Sequence, residues 1–371
     1  MNVIAGGYAV PHLSGNRLSA NHPPMHRGPV GGPGVWYGPD MVETSDWMYR
    51  LSDAEQGELI DAMRAARRDR GDIADITKPE FPLPNLGERL EDLRREVIRG
   101  RGFVLLRNFP MEGFDFAEIA TMYWGLGTYL GSARSQNTRG HLLGHVVDLG
   151  DAFDNKSQRG YLTNRHLMYH SDSVDIVSLL CLQKSKSGGL SSIVSSYTIH
   201  DEMWKRRPDL AAALYGPVGR DRRDEIPDGK GPWYELPVFN YLDGRLAINY
   251  LRQHIETTKR HADAPPMSPA VAEALEFLLE LANDPALYLQ MAFEPGDIQI
   301  VHNHQILHNR TAYEDWPEAE RRRYLLRLWL SPPDGIALPD AFAERYGGVV
   351  PGDRGGVIVP GIKLEAPLEA M

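Results

Sequence analysis

The chain has 371 residues, of which 42% are hydrophobic, and a formal net charge of -10. That length and apolar content can bury a large core, read here as one domain, while the acidic balance and the lack of a basic stripe interleaved with aromatics exclude a nucleic-acid-binding surface. A lone cysteine excludes an intrachain disulfide, so a reducing cytoplasmic setting is expected.

No run reaches the roughly 18 apolar residues of a membrane span, and the N-terminal residues lack a leader's basic start and apolar stretch. The expected partner is therefore a small molecule, with no nucleic acid and no membrane; homo-oligomerisation stays open. Residues 1–34 are rich in glycine and proline up to Gly31-Gly32-Pro33-Gly34, too poor in apolar surface to order alone. A flexible tail, or an arm laid on a neighbour, is expected there, with a single domain over 35–371 starting at Val35-Trp36-Tyr37.

Ser52 and Glu55 form a capping box ahead of Leu59, Ile60 and Met63, which predicts a helix. Leu86, Leu90, Leu93 and Val97 predict a second, stopping at Gly100. Residues 103–106 read as a buried strand and 116–129 as another helix. From 135 to 165 the chain is polar and aperiodic, which suits a lid over a site better than regular structure.

Residues 174–182 read as a strand that hides Cys181 as an inert thiol, Ser187-Gly188-Gly189 as a turn, and 192–195 as a strand. A helical insert over 200–214, broken at Pro208, precedes short strands near 236–241 and 245–250. A helix opens at Ser268-Pro269, cap residue then first-turn proline, and carries Leu275, Leu278 and Leu279. Strands over 297–302 and 323–330 close the pattern. Many short strands around one core predict a mainly β fold with flanking helices: a double-stranded β-helix, the jelly-roll barrel also used by cupins.

Within this frame His170-Ser171-Asp172 stands out, because residues two apart on an extended segment project to the same side. Alone, such a triplet is commonplace and could only be bonding across a turn; here it precedes an apolar strand and is followed far downstream by a histidine cluster and an arginine-bearing strand. A further imidazole must come from His302, His304 or His308. His308, inside Ile306-Leu307-His308-Asn309-Arg310-Thr311-Ala312, is preferred, His304 is second and His302 is read as structural. Two histidines and one carboxylate form the ligand set of non-haem Fe(II) oxygenases, which leaves positions open for a cosubstrate and dioxygen. Arg323 and Arg327 share a strand face by period two; two guanidinium groups facing a core require an anion, which a planar fork binds as a carboxylate at two points.

These residues, together with Ser187-Gly188-Gly189-Leu190-Ser191 and Gly296-Asp297, resemble the taurine dioxygenase and 2,4-D dioxygenase (TauD/TfdA) family over about residues 100–330. The resemblance implies Fe(II) on His170, Asp172 and His308, with 2-oxoglutarate as cosubstrate and its distal carboxylate on Arg323. It also implies that the Ser191 hydroxyl serves that carboxylate, Ser192 being the alternative. Arg327, about 13 Å farther along the strand at a rise of about 3.3 Å per residue, is expected to serve substrate binding or the iron-proximal end. The implied reaction is hydroxylation of a small molecule by O2 with release of succinate and CO2, and Asp172 argues against a halogenase. His166, Asn137 and Arg252 are candidate substrate contacts, with Arg139 and His254 beside them, and Trp316 and Trp329 are read as core or rim aromatics. Two alternatives stand: a cupin-like Zn or Mn enzyme without cosubstrate, and a non-catalytic binding barrel.

Overall fold

A computed structural model describes residues 25–66, 71–148, 163–227, 229–358 and 360–370. Two β-sheets face each other. The larger has seven strands in the order Met48–Arg50, Phe103–Arg107, Ile298–His302, Ile176–Gln183, Tyr324–Ser331, with Ser132–Ala133 and Leu143–Val147 both pairing with the last. The smaller runs Leu289–Met291, Ser191–Ser195, Ile306–Arg310, Leu167–His170. All pairs in both sheets are antiparallel except Met48–Arg50 with Phe103–Arg107.

Strand alternation explains the layering. Phe103, Leu105, Val177, Cys181, Leu325 and Trp329 point into the space between the sheets, where they meet Ile193, Leu289 and Ile306. Their neighbours Val104, Leu106, Leu326 and Leu328 point the other way, beneath the helices Asp53–Ala66, Leu86–Arg99 and Phe116–Leu130. On the far side, Val194 and Leu307 pack under Ser196–Arg206, Pro208–Ala213 and Pro269–Ala282. Burial on both faces makes these strands read as unbroken apolar runs. The double-stranded β-helix is therefore present as two facing sheets clasped by helices rather than as a closed barrel.

Helix starts follow their caps. Ser52 Oγ accepts the Glu55 N–H at 3.3 Å and the Glu55 carboxylate accepts the Ser52 N–H at 2.8 Å, and Ser268 Oγ accepts the Val271 N–H at 3.2 Å. Elsewhere the structure corrects the sequence reading. Within 135–165, Leu143–Val147 is a strand on the edge of Tyr324–Ser331, with Gly144 and His145 breaking its apolar signal; residues 149–162 of the expected lid lie outside the described residues. Ser187–Gly188 pairs with Tyr313–Glu314 instead of only turning. The helical insert begins at Ser196, because Ser195 Oγ caps it by accepting the Tyr197 and Thr198 N–H groups.

Of the expected tail, residues 1–24 lie outside the described residues. From Met25 the chain runs against the Ser196–Arg206 helix: the Val30 and Gly31 N–H groups donate to the Asp201 carboxylate at 2.7 and 3.1 Å. Among the described residues, no helix is long and apolar enough to cross a membrane.

A buried ion pair ties the C-terminal segment to the frame. Asp175, fully buried, accepts the Arg354 fork at 2.6 to 3.1 Å, His304 Nε2 at 3.1 Å and the Ser331 hydroxyl at 2.9 Å. Burial would raise its carboxyl, but His304 and Arg354 outweigh that and hold it far below the usual carboxylate range. Removing one partner of a buried pair costs about 3–5 kcal/mol, so Arg354→Met is expected to lower the unfolding free energy by that order in denaturant titrations. Since the folded carboxyl titrates below its unfolded value near 3.9, the stabilisation is complete at neutral pH and is lost only as pH falls through and below that value. Equal stabilities of Arg354→Met and the parent protein at pH 7 would contradict the assignment.

The Cys181 thiol is pushed up to about 12, chiefly by burial. A thiol in that state is not nucleophilic, so the native protein is expected to resist thiol reagents until it unfolds, and Cys181→Ser to change stability only modestly; stoichiometric labelling within the dead time would contradict this.

Candidate functional site

His170 ends the Leu167–His170 strand, and His308 occupies the middle of Ile306–Arg310. The antiparallel register sets the two residues opposite each other, with ring centroids 4.3 Å apart. Asp172 follows on the turn between the sheets, its Oδ1 3.8 Å from His170 Nε2 and its Oδ2 3.9 Å from His308 Nε2. One donor atom from each of the three lies within 4.8 Å of the others, the sole such group of three found among the described residues. Two imidazoles and a carboxylate at this spacing can close on one divalent transition metal. His304 is committed to Asp175, and His302 is buried beside it with neither ring nitrogen hydrogen-bonded.

Backbone and side-chain contacts hold the three residues in place. His170 Nδ1 lies 2.8 Å from the Met168 carbonyl; a carbonyl only accepts, so that nitrogen carries the proton and Nε2 keeps a lone pair for a metal. Ser171 and Tyr250 exchange two bonds, N–H to carbonyl at 2.7 Å and N–H to hydroxyl at 2.9 Å. Asn303 accepts the Asp172 N–H at 2.9 Å and donates to the Val174 carbonyl at 2.9 Å and to that of Asp172, fixing the turn. Asp172 Oδ2 accepts from Trp329 Nε1 at 3.0 Å and lies 3.5 Å from Arg327 Nη1, whose Nε donates to Gln136 at 2.7 Å. Burial would raise the Asp172 carboxyl; Arg327, His308, His170 and Trp329 more than offset it and keep it ionised. Burial, with His170 adding to it, pushes His308 down to about 3, so its ring stays neutral.

The triad lines a cavity of about 1030 Å³. On one side of the triad sit Arg323 and Arg310, at 5% relative exposure each. Their guanidinium carbons lie 5.2 and 4.7 Å from the Tyr313 ring centre. Arg323 Nη1 and Arg310 Nε and Nη1 are buried without a hydrogen-bond partner, although Arg310 Nη2 donates to the Thr163 and Arg165 carbonyls at 2.6 and 2.5 Å. Burial, reinforced by Arg323, lowers Arg310 to about 10. Ser191, opposite Arg310 in register, donates to Gln299 Oε1 at 3.2 Å and lines the same end. The turn before it needs glycine: Gly189 has φ +68°, and a Cβ there would come within 2.9 Å of Ser185 Oγ and 3.1 Å of Arg323 Nε. Buried donors without partners and two adjacent like charges make this end a cradle for a carboxylate.

The triad, Ser191, Arg323, Arg327, Asn137, His166, Arg252 and Trp329 line this cavity, though not all in the expected manner, whereas His302, His304, Ser192 and Trp316 lie outside its lining. Arg327 faces Asp172 of the triad and stands apart from the Arg323 cradle. Arg252 is held by Glu256 at 2.6 Å and by Glu276, which turns its guanidinium to the cavity wall. Asn137 bonds to His141 Nδ1 at 3.1 Å, and His166 is exposed at the rim. Trp329 is more than a core aromatic, since its N–H reaches Asp172. Arg310 and Trp329 were legible in principle, because they share parity with His308 and with Arg327; nothing in the sequence marks Asn303 or Gln136.

Facing sheets with an open two-histidine, one-carboxylate set beside a buried carboxylate cradle define the class of non-haem metal oxygenases that use an anionic cosubstrate. The chain belongs to the taurine catabolism dioxygenase TauD, TfdA family, whose model matches residues 69–329. It is 30% identical over 326 residues to FR-33289 synthase of Streptomyces rubellomurinus, covering 86% of this chain and 95% of that protein. Its fold is similar to asparagine oxygenase solved with Fe(II), 2S,3S-3-hydroxyasparagine and succinate, at TM-score 0.60 and 18% identity over 76% of this chain and 93% of that one. It is likewise similar to the non-heme iron oxygenase OrfP solved with Fe and alpha-ketoglutaric acid, at TM-score 0.57 and 11% identity over 76% and 93% of the chains.

The geometry separates the two histidine candidates experimentally. His308→Ala is expected to abolish stoichiometric iron binding while leaving the melting temperature near that of the parent protein, and His304→Ala to lower the melting temperature while iron binding persists. Metal titration and calorimetry on both variants check this; the opposite pattern would make His304 the ligand.

Proposed function

We propose that the chain is an Fe(II)- and 2-oxoglutarate-dependent dioxygenase that hydroxylates a small molecule, with Fe(II) on His170, Asp172 and His308. The observation that carries this reading is the pair of buried arginines, Arg310 and Arg323, which line the same cavity as His170, Asp172 and His308 and keep buried N–H groups without a partner. A cosubstrate with a second, distal carboxylate satisfies them. A cupin-like Zn or Mn enzyme without cosubstrate would leave two buried cations facing each other with no anion between them, which the interior does not tolerate.

When bound, the iron supplies the oxidising chemistry: one oxygen atom of O2 enters the succinate formed as 2-oxoglutarate loses CO2, and the other enters the substrate. The protein's own part is to bind, orient and shield. Arg323, assisted by Arg310 and Ser191, fixes the far carboxylate and so aims the keto acid at the triad. Trp329 and Arg327 hold Asp172 ionised and oriented. Val177, Leu179, Leu325 and Phe293 exclude water from the cosubstrate end of the cavity. His166, Asn137 and the wall built on Arg252 bound the space left for substrate.

Losing a hydrogen bond to a charged group costs about 1.5–3 kcal/mol, or about ten- to a hundredfold in affinity. Arg323→Leu is therefore expected to raise the 2-oxoglutarate concentration for half-maximal succinate release by that factor, with a smaller rise for Arg310→Leu. Arg327→Leu should spare this value and weaken iron retention instead. Cosubstrate titration of the three variants checks the assignment; no change at Arg323 would remove the reason for naming 2-oxoglutarate.

A further inference from the structure

The proton of the Ser191 hydroxyl has two claimants. It is given to Gln299 Oε1 at 3.2 Å, and a carboxylate on Arg323, which accepts and never donates, needs the same proton. One hydroxyl cannot serve both, so the side chain behind Ser191 decides what the cradle can offer.

Gln299 comes from the opposite sheet. It stands in Ile298–His302, paired with Leu105 and Leu179, and shares their inward face. It is 2% exposed and forms no part of the cavity lining, whereas Ser191, Arg310 and Arg323 all do. Its amide nitrogen donates to Met291 Sδ at 3.2 Å, and Met291 is the register partner of Ser191 on the neighbouring strand. The amide is thus held between a hydroxyl on its oxygen side and a thioether on its nitrogen side, with all three residues buried.

Two arrangements of this amide differ by a half-turn about its terminal torsion, which is broad and two-fold, and the heavy atoms keep their places. In the half-turned form Nε2 donates to Ser191 Oγ and the serine proton is free for the cavity; the loss is a bond to sulfur. Thioether sulfur is a weak acceptor, while a hydrogen bond to a carboxylate is about twice as strong as a neutral one. Without an anion on Arg323 the observed form uses both donors and is favoured. With one, the half-turned form gains more than it gives up.

We infer that Gln299 is a positioning residue for Ser191: its amide makes this half-turn when a distal carboxylate occupies the Arg323 cradle, becoming donor to Ser191 Oγ and releasing the hydroxyl proton to that carboxylate. This rests on the 2-oxoglutarate reading above. Gln299 acts only through Ser191, since it does not line the cavity. The part requires a side chain with an acceptor and a donor on one rotor, which an ionised glutamate lacks.

The test is anaerobic calorimetry of the Fe(II)-loaded protein with 2-oxoglutarate, for Ser191→Ala, Gln299→Glu and the double variant, with iron affinity measured alongside. Ser191→Ala is expected to weaken 2-oxoglutarate about tenfold. Gln299→Glu, which can accept the hydroxyl but not let it go, should cost about tenfold or more, and at least about threefold less in the Ser191→Ala background, with iron affinity unchanged throughout. Because a buried glutamate can prevent folding, a second measurement uses the parent sequence, 15N-labelled and loaded with Zn(II). The Gln299 amide protons, assigned by their loss in Gln299→Met, are expected to show a nuclear Overhauser contact to the Met291 methyl group that gives way to one with the Ser191 β-protons when 2-oxoglutarate is added. Full cosubstrate affinity in Ser191→Ala, equal costs of Gln299→Glu in both backgrounds, or a Met291 contact that persists with 2-oxoglutarate bound would each overturn the inference alone. Failure of the parent protein to bind 2-oxoglutarate at all would defeat the oxygenase reading and the inference with it.

Discussion

Asp175 is the residue on which the geometry of the site depends. It lies three positions after the candidate metal ligand Asp172 and directly before the strand Ile176–Gln183, with no exposure to water. Through one carboxylate it holds Arg354 of the C-terminal segment, Ser331 at the end of the arginine-bearing strand, and His304 in the connection that leads to His308. Each of these segments supplies a group to the cavity. A buried ion pair is seldom worth more than well-packed apolar side chains of the same volume; what it adds here is a single permitted arrangement, since any slip of one segment would strand a buried charge.

The electrostatics of the cavity invert those of the chain. The chain as a whole carries a formal charge of -10, yet among the described residues the cavity is lined by seven arginines and four carboxylates, one of which is Asp172. A concave basic surface in an acidic molecule focuses field lines inward and favours the encounter of small anions over that of macromolecular ones. Burial above all, and then the same surplus, keeps the imidazole of His254 neutral, and Arg327 from that surplus helps to keep Asp172 ionised despite burial.

Legibility in the sequence followed the periodicities. Helices with a capping residue and an apolar stripe, such as Asp53–Ala66 and Pro269–Ala282, appear where the chain announces them, and the His170, Asp172 and His308 set was readable because strand parity and context both point inward. Strands of three to five residues at sheet edges, such as Leu289–Met291 and Leu143–Val147, carry too few alternations to register, and Gly144 and His145 further dilute the second. That Arg223 and Arg345 line one cavity could not be read from the sequence at all, since 121 positions separate them and only the folding of two connections brings them to it. Asn303 and Gln136 act through single hydrogen bonds, which leave no periodic trace.

The two ends of the cavity are made of different material. The candidate metal and cosubstrate residues come from strands of the two sheets or from the short turns that join them, whereas Arg139, Arg223, His254 and Arg345 stand on connections and short helices outside them. Connections tolerate insertion and exchange far better than paired strands do. Lineages built on this architecture can therefore acquire new specificities by exchanging a few peripheral loops while inheriting the oxidising apparatus intact, a modularity that separates the tempo of change in what is oxidised from that in how.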